Sequence, residues 1–444
     1  MLGYRKGAAE LATPIPALFN TDSSGDPSMI VSDASKSVDF GDFWRAWNIL
    51  NRNFSPTSTS TPVNGTTTDQ MRVLYAIDGL TRSFEDPYTV FIPKQAADNF
   101  KEQVNAEFEG IGAALSDESG EVLVTALLPH SPAEGSGLSV GDRIMAVDTV
   151  LVTGVPLTDI ISHIRGPKET TVVLTVLKAK TKKQVDISIT RGVVAIPTTA
   201  TKVVTAAKNV IAAAVQKAAA AAASIPGTEA EKKAREEAAA KEAANQQFFV
   251  LQLSTFAKTS TDAFIADLGK FAKSNTKNLI IDLRNNPGGY LETADDLASY
   301  FLPKGVLVVS ERQGANNIVN EHRSRGYDLL SGATSTRRIV VLVNRNSASA
   351  SEILAGALQD YKVAKVVGEQ SFGKGSVQTL IDLGSVGTLK VTVARWYTPN
   401  GRNISHQGIT PDVVVDLKDT KYASSTDPFM DAAVETLLDD AQWK

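Results

Sequence analysis

From Phe248 onward the chain alternates short apolar runs with amphipathic ones, and this alternation constrains the fold more than any other feature. Phe248–Leu253, Asn278–Leu283 and Arg338–Val343 are apolar at most positions, the pattern of buried strands. Val306–Ser310, Ala364–Val367, Val377–Leu383 and Thr388–Ala394 add further strands, while Ser260–Ser274, Thr293–Phe301 and Ser349–Tyr361 read as helices. Strands and helices in turn predict an α/β core over 248–444, closed by a helix at Pro428–Ala441.

Such a core does not use up 444 residues, and the length favours two or three domains. A Ser-, Asp- and Pro-rich tail (1–36) precedes a helical N-terminal region (37–107). Its helices are expected at Phe40–Leu50, Asp69–Ser83 and Pro93–Glu107, with a loop at Ser55–Thr68. From Phe108 the period shortens: Gly110–Ala113, Glu121–Leu128, Arg143–Val147, Thr170–Leu177 and Gln184–Thr190 read as strands and Leu157–Ile164 as a helix, one compact module over 108–192. A linker and an Ala-rich arm fill 193–247. Within Thr201–Gln247, Ala, Lys and Glu favour helix and Ser224-Ile-Pro-Gly-Thr228 breaks it, so two helices are expected. This arm is either a solvated projection or a self-association surface for a homo-oligomer.

Composition removes several classes of function. With 45 basic against 49 acidic residues the net charge of -4 gives no field for a polyphosphate backbone, so no nucleic-acid partner is expected. Without cysteine there is no thiolate nucleophile, disulfide or cysteine-bound zinc. His130, His163, His322 and His406 are scattered and form no HExxH pair, so neither a metal nor a cofactor is expected. No run reaches the roughly 18 apolar residues of a membrane span.

What chemistry remains concentrates in three segments. Ser347, Ser349 and Ser351 stand at the carboxyl end of a strand, where α/β sheets present reactive groups, although serines also simply cap helices there. A serine hydroxyl needs a base to attack an amide, and Lys374 fits: flanking glycines admit close backbone approach, and burial favours a free amine. Gln378 follows at an even separation, on the same face if the segment is extended, where it can orient the lysine. Asn285-Asn-Pro-Gly-Gly289 can aim backbone amides at an oxyanion or be an ordinary turn. Two look-alikes fail. Gly368–Gly375 approaches a phosphate loop but has Gly375 where a magnesium-binding hydroxyl belongs, and Ser371-Phe-Gly-Lys374 spells SxxK among glycines that disfavour the helical turn it needs.

Gly110-Ile-Gly-Ala113, Ser131–Arg143 and Arg165-Gly-Pro167 resemble a PDZ domain. Asp282-Leu-Arg-Asn-Asn-Pro-Gly-Gly289, Ser347-Ala-Ser-Ala-Ser-Glu352 and Phe372-Gly-Lys-Gly375 resemble, in the same order, the carboxyl-terminal processing (tail-specific) peptidases of family S41. The resemblance runs from about Phe40 to Val415, leaving out the arm. It implies a multidomain α/β protein with a crotonase-like core and an inserted PDZ domain, a serine endopeptidase that cuts proteins near their C-termini. It puts the nucleophile on Ser349, the base on Lys374 and the orienter on Gln378, with Gly288 or Gly289 and Ala350 as oxyanion donors. In the PDZ it implies that Gly110, Ile111, Gly112 and Ala113 hold the terminal carboxylate of a protein or peptide substrate. Ala113 departs from the bulky residue usual there, and Arg165 either links the PDZ to the protease or is an ordinary loop arginine. The rival expectations are an inactive peptide-binding scaffold and an acyl-CoA enzyme on the same core, the latter without an adenine-phosphate site. The resemblance further implies work outside the cytoplasm, and Leu2–Gly7 is similar to the basic flank that follows a membrane anchor.

Overall fold

The computed structural model describes residues 39–54, 69–118, 120–205, 227–274, 276–313, 317–327, 337–419, 425 and 427–443. The expected tail at 1–36, the loop at 55–68 and the first helix of the arm lie outside them. The described chain forms two bodies, one comprising the residues up to Ala97 with Gln378–Thr392, the other Asp98–Val377 with Val393–Lys444.

In the first body, helices Gly41–Asn53 and Asp69–Arg82 precede strand Val90–Pro93, which pairs antiparallel with Gly387–Lys390. No residue of Gly41–Asn53 is buried.

The second body contains a six-stranded sheet in the order Thr199–Thr205, Gln247–Leu253, Asn278–Asp282, Arg338–Val343, Lys365–Gly368, Val413–Val414. All neighbours are parallel except Thr199–Thr205, which runs antiparallel to Gln247–Leu253. The strands are continuously apolar because both faces are covered. Phe249, Leu251, Leu279, Ile281, Ile339, Val341 and Val366 pack with residues of helices Ser260–Lys273, Leu291–Ala298 and Ala350–Asp360. The alternate residues Phe248, Val250, Ile280, Val340, Leu342 and Val367 pack on Ala432, Ala433, Val434 and Leu437 of helix Pro428–Leu438. Each fully buried Val, Leu, Ile or Phe side chain contributes about 1.5–3 kcal/mol. This sandwich fixes the carboxyl ends of the strands, where the loops after Asp282, Val343 and Gly368 meet.

The inserted module is a sheet in the order Ala113–Glu118, Glu121–Leu127, Arg143–Val147, Thr171–Leu177, Gln184–Thr190, with helix Leu157–Ile164 packed on it. Ala113–Glu118 is its edge strand. The chain enters and leaves through a two-stranded stem, Glu107–Gly110 against Gly192–Ala195, in which Gly110 faces Gly192.

The structure differs from the sequence expectations in several places, among them the following. Thr201–Thr205, expected in the Ala-rich arm, is strand paired with Gln247–Leu251; helix Glu229–Asn245 forms as expected. Gly110–Ala113 is not one strand but a break between two, because Gly112 turns to φ +81°. Strand Asn317–Arg323, hairpinned to Leu307–Gln313, was not expected, since its polar, half-exposed residues lack alternation.

Candidate active site

Strand Arg338–Val343 delivers the chain to a tight turn from which helix Ala350–Asp360 departs, with Ser349 at its N-cap. Ser349 adopts φ +56°, ψ −116°, a conformation that costs a β-carbon-bearing residue about 1–3 kcal/mol and so persists only when its surroundings enforce it. The flanking serines supply part of that enforcement. Ser347 Oγ donates to Leu283 O (2.8 Å) and accepts from Asn344 N (3.0 Å); Ser351 Oγ donates to Asn286 O (2.9 Å). Ser347 and Ser351 are wholly buried, so they tie the turn to the Asp282–Gly289 loop, whereas Ser349 is partly accessible.

The main fastener is Glu352, fully buried. Its Oε2 accepts the N–H of Ser349 (2.8 Å) and of Lys374 (3.0 Å), and its Oε1 accepts Ser371 Oγ (2.6 Å) and the N–H of Gly373 (2.7 Å). One carboxylate oxygen therefore holds the backbones of Ser349 and Lys374. Burial pushes the Glu352 carboxyl up, against those bonds, which favour the anion. Sequence reasoning missed Glu352, although Ser349-x-x-Glu352 spells a capping box, the signal that could have revealed it. Phe372 N–H donates to Ser347 O (3.0 Å), and Gly408 approaches Ser371 so closely that a β-carbon there would lie 2.3 Å from Ser371 O.

The glycine loop completes the arrangement. A β-carbon on Gly288 (φ +99°) would lie 2.7 Å from Ala348 O, 2.8 Å from Ser349 Cβ and 2.9 Å from Ala350 N, so only glycine lets the loop lie against the Ser349 turn. Asn286, fully buried, shapes it: Nδ2 donates to Leu253 O (2.8 Å), and Oδ1 accepts the Gly288 N–H (2.9 Å). The Gly288 amide is thus engaged within the loop. Phe256 forms a parallel bridge with Gly289, donating to Gly288 O (2.9 Å) and accepting from Tyr290 N (2.8 Å). In such a bridge the central residue turns its own N–H away from the partner strand, so the Gly289 amide points away from Phe256. The Ala350 amide, the first of its helix, carries the positive end of the helix dipole. Behind the loop, Arg284 binds Asp282 (2.7 Å) and Asp427 (2.7 Å), and Asp427 caps helix Pro428–Leu438 through Met430 N.

Gln378 lies in the first body, where its Nε2 donates to Thr392 Oγ1 (3.5 Å). In the inserted module, Ile111 O accepts Ala133 N–H (2.7 Å) and Gly112 O accepts Leu128 N–H (2.8 Å). Gly112 abuts Ser131, where a β-carbon would approach Ser131 Cβ to 2.2 Å. The carbonyls of Ile111 and Gly112 are thus both engaged by the 128–133 turn, in the loop before edge strand Ala113–Glu118. Arg165 flanks this loop: it stacks on Phe108 (4.7 Å to the ring centroid) and donates to Glu102 Oε2 (3.2 Å). Among the described residues no cluster of three or more His, Asp or Glu is placed to hold a metal, and no helix is long and apolar enough to cross a membrane.

A serine at a strained strand-to-helix turn has a lysine's backbone tied to it through one carboxylate and a glycine loop against it, and by its similarities the chain is a serine-type peptidase. The profile of peptidase family S41 matches residues 248–415 and that of the PDZ domain residues 101–177. The chain is 30% identical over 368 residues to carboxy-terminal processing protease CtpA of Bacillus subtilis, covering 82% of this chain and 68% of that one. It is 33% identical over 352 residues to the carboxy-terminal-processing protease of Bartonella bacilliformis, covering 78% and 70%. Among solved structures it is similar to the photosystem II D1 C-terminal processing protease, with 26% identity and a TM-score of 0.46 over 90% of this chain and 97% of that one. The chain belongs to peptidase family S41 and carries a PDZ domain.

Proposed function

We propose that this protein is an endopeptidase that cleaves proteins near their C-termini with Ser349 as nucleophile and Lys374 as general base. The observation that carries the reading is the shared Glu352 oxygen, which holds both backbones together. A neutral Lys374 amine takes the Ser349 hydroxyl proton as Oγ attacks the scissile carbonyl, and the resulting ammonium gives that proton to the departing amine. Water, deprotonated in turn by Lys374, then releases the acyl group. The oxyanion takes the N–H groups of Gly289 and Ala350; Gly288, whose own amide is bound to Asn286, serves by letting the loop approach. The layered α/β core supports reading it as the crotonase-like arrangement that the sequence resemblance implies. The amides of Gly110–Ala113 hold a substrate's terminal carboxylate while its last residues add to edge strand Ala113–Glu118, with an apolar side chain at the end.

The test is hydrolysis of an unstructured polypeptide. Ser349→Ala and Lys374→Arg are expected to be inactive, since guanidinium stays protonated, while Ser347→Ala and Ser371→Ala keep reduced activity. Activity rises with pH on a limb set by loss of the lysine proton, and chelators have no effect. Substantial turnover by Lys374→Arg, or activity in Ser349→Ala with none in Ser371→Ala, would overturn these roles.

A further inference from the structure

Lys374 stands between Gly373 and Gly375, and glycine is the residue least able to hold a backbone in place by itself. A base that must reach Ser349 Oγ therefore needs its main chain fixed from outside, and the structure fixes it on both sides. Before the Cα, the Lys374 N–H donates to Glu352 Oε2 (3.0 Å). After it, the Lys374 carbonyl accepts the indole N–H of Trp396 (2.9 Å), and the next carbonyl, that of Gly375, accepts the Trp396 backbone N–H (3.0 Å). Peptide planes are rigid, so anchoring the two planes that flank one Cα sets its φ and ψ, and with them the direction of the Cα–Cβ bond.

Trp396 is itself firmly held. It is 1% exposed, pairs with Glu311 of strand Leu307–Gln313, and belongs to the same core as Ala350, Ile353 and Leu354 of the helix that Ser349 caps. Two residues on, buried Thr398 lies against that helix too: a β-carbon on Gly356 would be 3.1 Å from Thr398 Cγ2. The short segment from Trp396 to Thr398 therefore meets the base on one side and the helix of the nucleophile on the other. A buried indole needs an acceptor for its N–H. Here that acceptor belongs to the residue whose placement the reaction depends on.

We propose that Trp396 is a positioning residue of the peptidase, its indole N–H fixing the Lys374 carbonyl and so the direction in which the lysine side chain leaves the main chain. The inference deepens the Ser349 and Lys374 roles proposed above and rests on them. Without the bond, the plane between Lys374 and Gly375 loses an anchor, and a misplacement of about 1 Å at a reacting group costs about 10²-fold in rate.

The experiment measures kcat and KM on an unstructured polypeptide, per site titrated with a fluorophosphonate. Trp396→Phe removes the donor and keeps an aromatic ring; kcat should fall about ten- to a hundredfold while KM stays within about twofold. Because the smaller ring also loosens the core, the decisive replacement is benzothienylalanine at position 396, which keeps the outline of the indole and puts sulfur where the N–H was. It should lower kcat per site by a similar factor, with a urea midpoint near that of wild type. Trp443→Phe deletes the same kind of bond, to Thr436 O (2.9 Å), on the other face of the sheet and should keep kcat within about twofold. Wild-type kcat per site with the benzothienyl side chain would overturn the proposal, since the ring would then only fill the core. So would a rise in KM at unchanged kcat, or an equal fall in kcat in Trp443→Phe. A wild-type protein that neither turns over nor reacts at Ser349 with the fluorophosphonate would instead refute the peptidase reading beneath it.

Discussion

Ser349 holds a conformation that serine avoids, and the neighbours that hold it there can be tested singly. Glu352→Gln replaces one carboxylate oxygen by an amide NH₂, which cannot accept the backbone N–H groups it would face. Each buried donor left without a partner costs about 1–3 kcal/mol, so the variant should unfold at lower urea and lose most of its kcat. A Glu352→Gln protein with wild-type kcat would show that the shared oxygen does not position the dyad. Gly288→Ala tests the opposite wall. Its β-carbon would displace the turn at Ser349 and Ala350, and misplacing one oxyanion donor is worth about 10²–10³ in kcat. The expected result is a folded protein, by circular dichroism, with kcat reduced by that order and KM little changed.

At the scale of elements, the buried strands were readable because each is sandwiched: Ile339, Val341 and Val343 face one layer and Val340 and Leu342 the other, so no polar residue interrupts the run. The serine turn and the glycine loop were readable for a related reason, since strand ends in such sheets are where function gathers. Glu352 was hidden because its partners Ser371, Gly373 and Lys374 lie beyond an intervening helix and strand, and only the tertiary fold brings them back. Thr199–Thr205 was misread because its Thr-Lys-Val-Val-Thr end runs on into Ala- and Lys-rich sequence and, as an edge strand, it leaves one side exposed. Asn317–Arg323 escaped likewise, yet it carries the least exposed histidine. His322 Nε2 bonds Glu311 Oε1 (2.6 Å) across the hairpin; burial lowers its basicity, but the bond to Glu311 and the nearby Asp295 and Glu292 outweigh this and raise it above 6.5. A raised pKa in the folded state contributes stability that is complete below 6.5 and is lost as pH rises through the higher folded value. The urea midpoint of wild type should therefore exceed that of Glu311→Gln most at pH 6 and converge on it above neutrality. A difference that grows with pH would contradict this assignment.

At the scale of the whole molecule, substrate choice should depend on the tail. If the proposed tail binding holds, amidating a substrate's C-terminus removes the anion meant for the Gly110–Ala113 amides, and Asp in place of its last residues puts charge where an apolar side chain is expected, so either change should slow cleavage or weaken binding. Excising Ile111–Arg191 and joining Gly110 to Gly192 should erase that preference, read as equal kcat/KM for free-acid and amidated substrates. A preference that survives excision would move specificity to the protease groove. The cut is placed there because Gly110 already faces Gly192 across the stem. That pairing has a further consequence for how such a protein can be rebuilt. Two chain ends that lie side by side form a socket: a foreign module whose own termini are adjacent could be spliced between Gly110 and Gly192 without stretching the peptidase, making the inserted module of this enzyme an interchangeable cartridge.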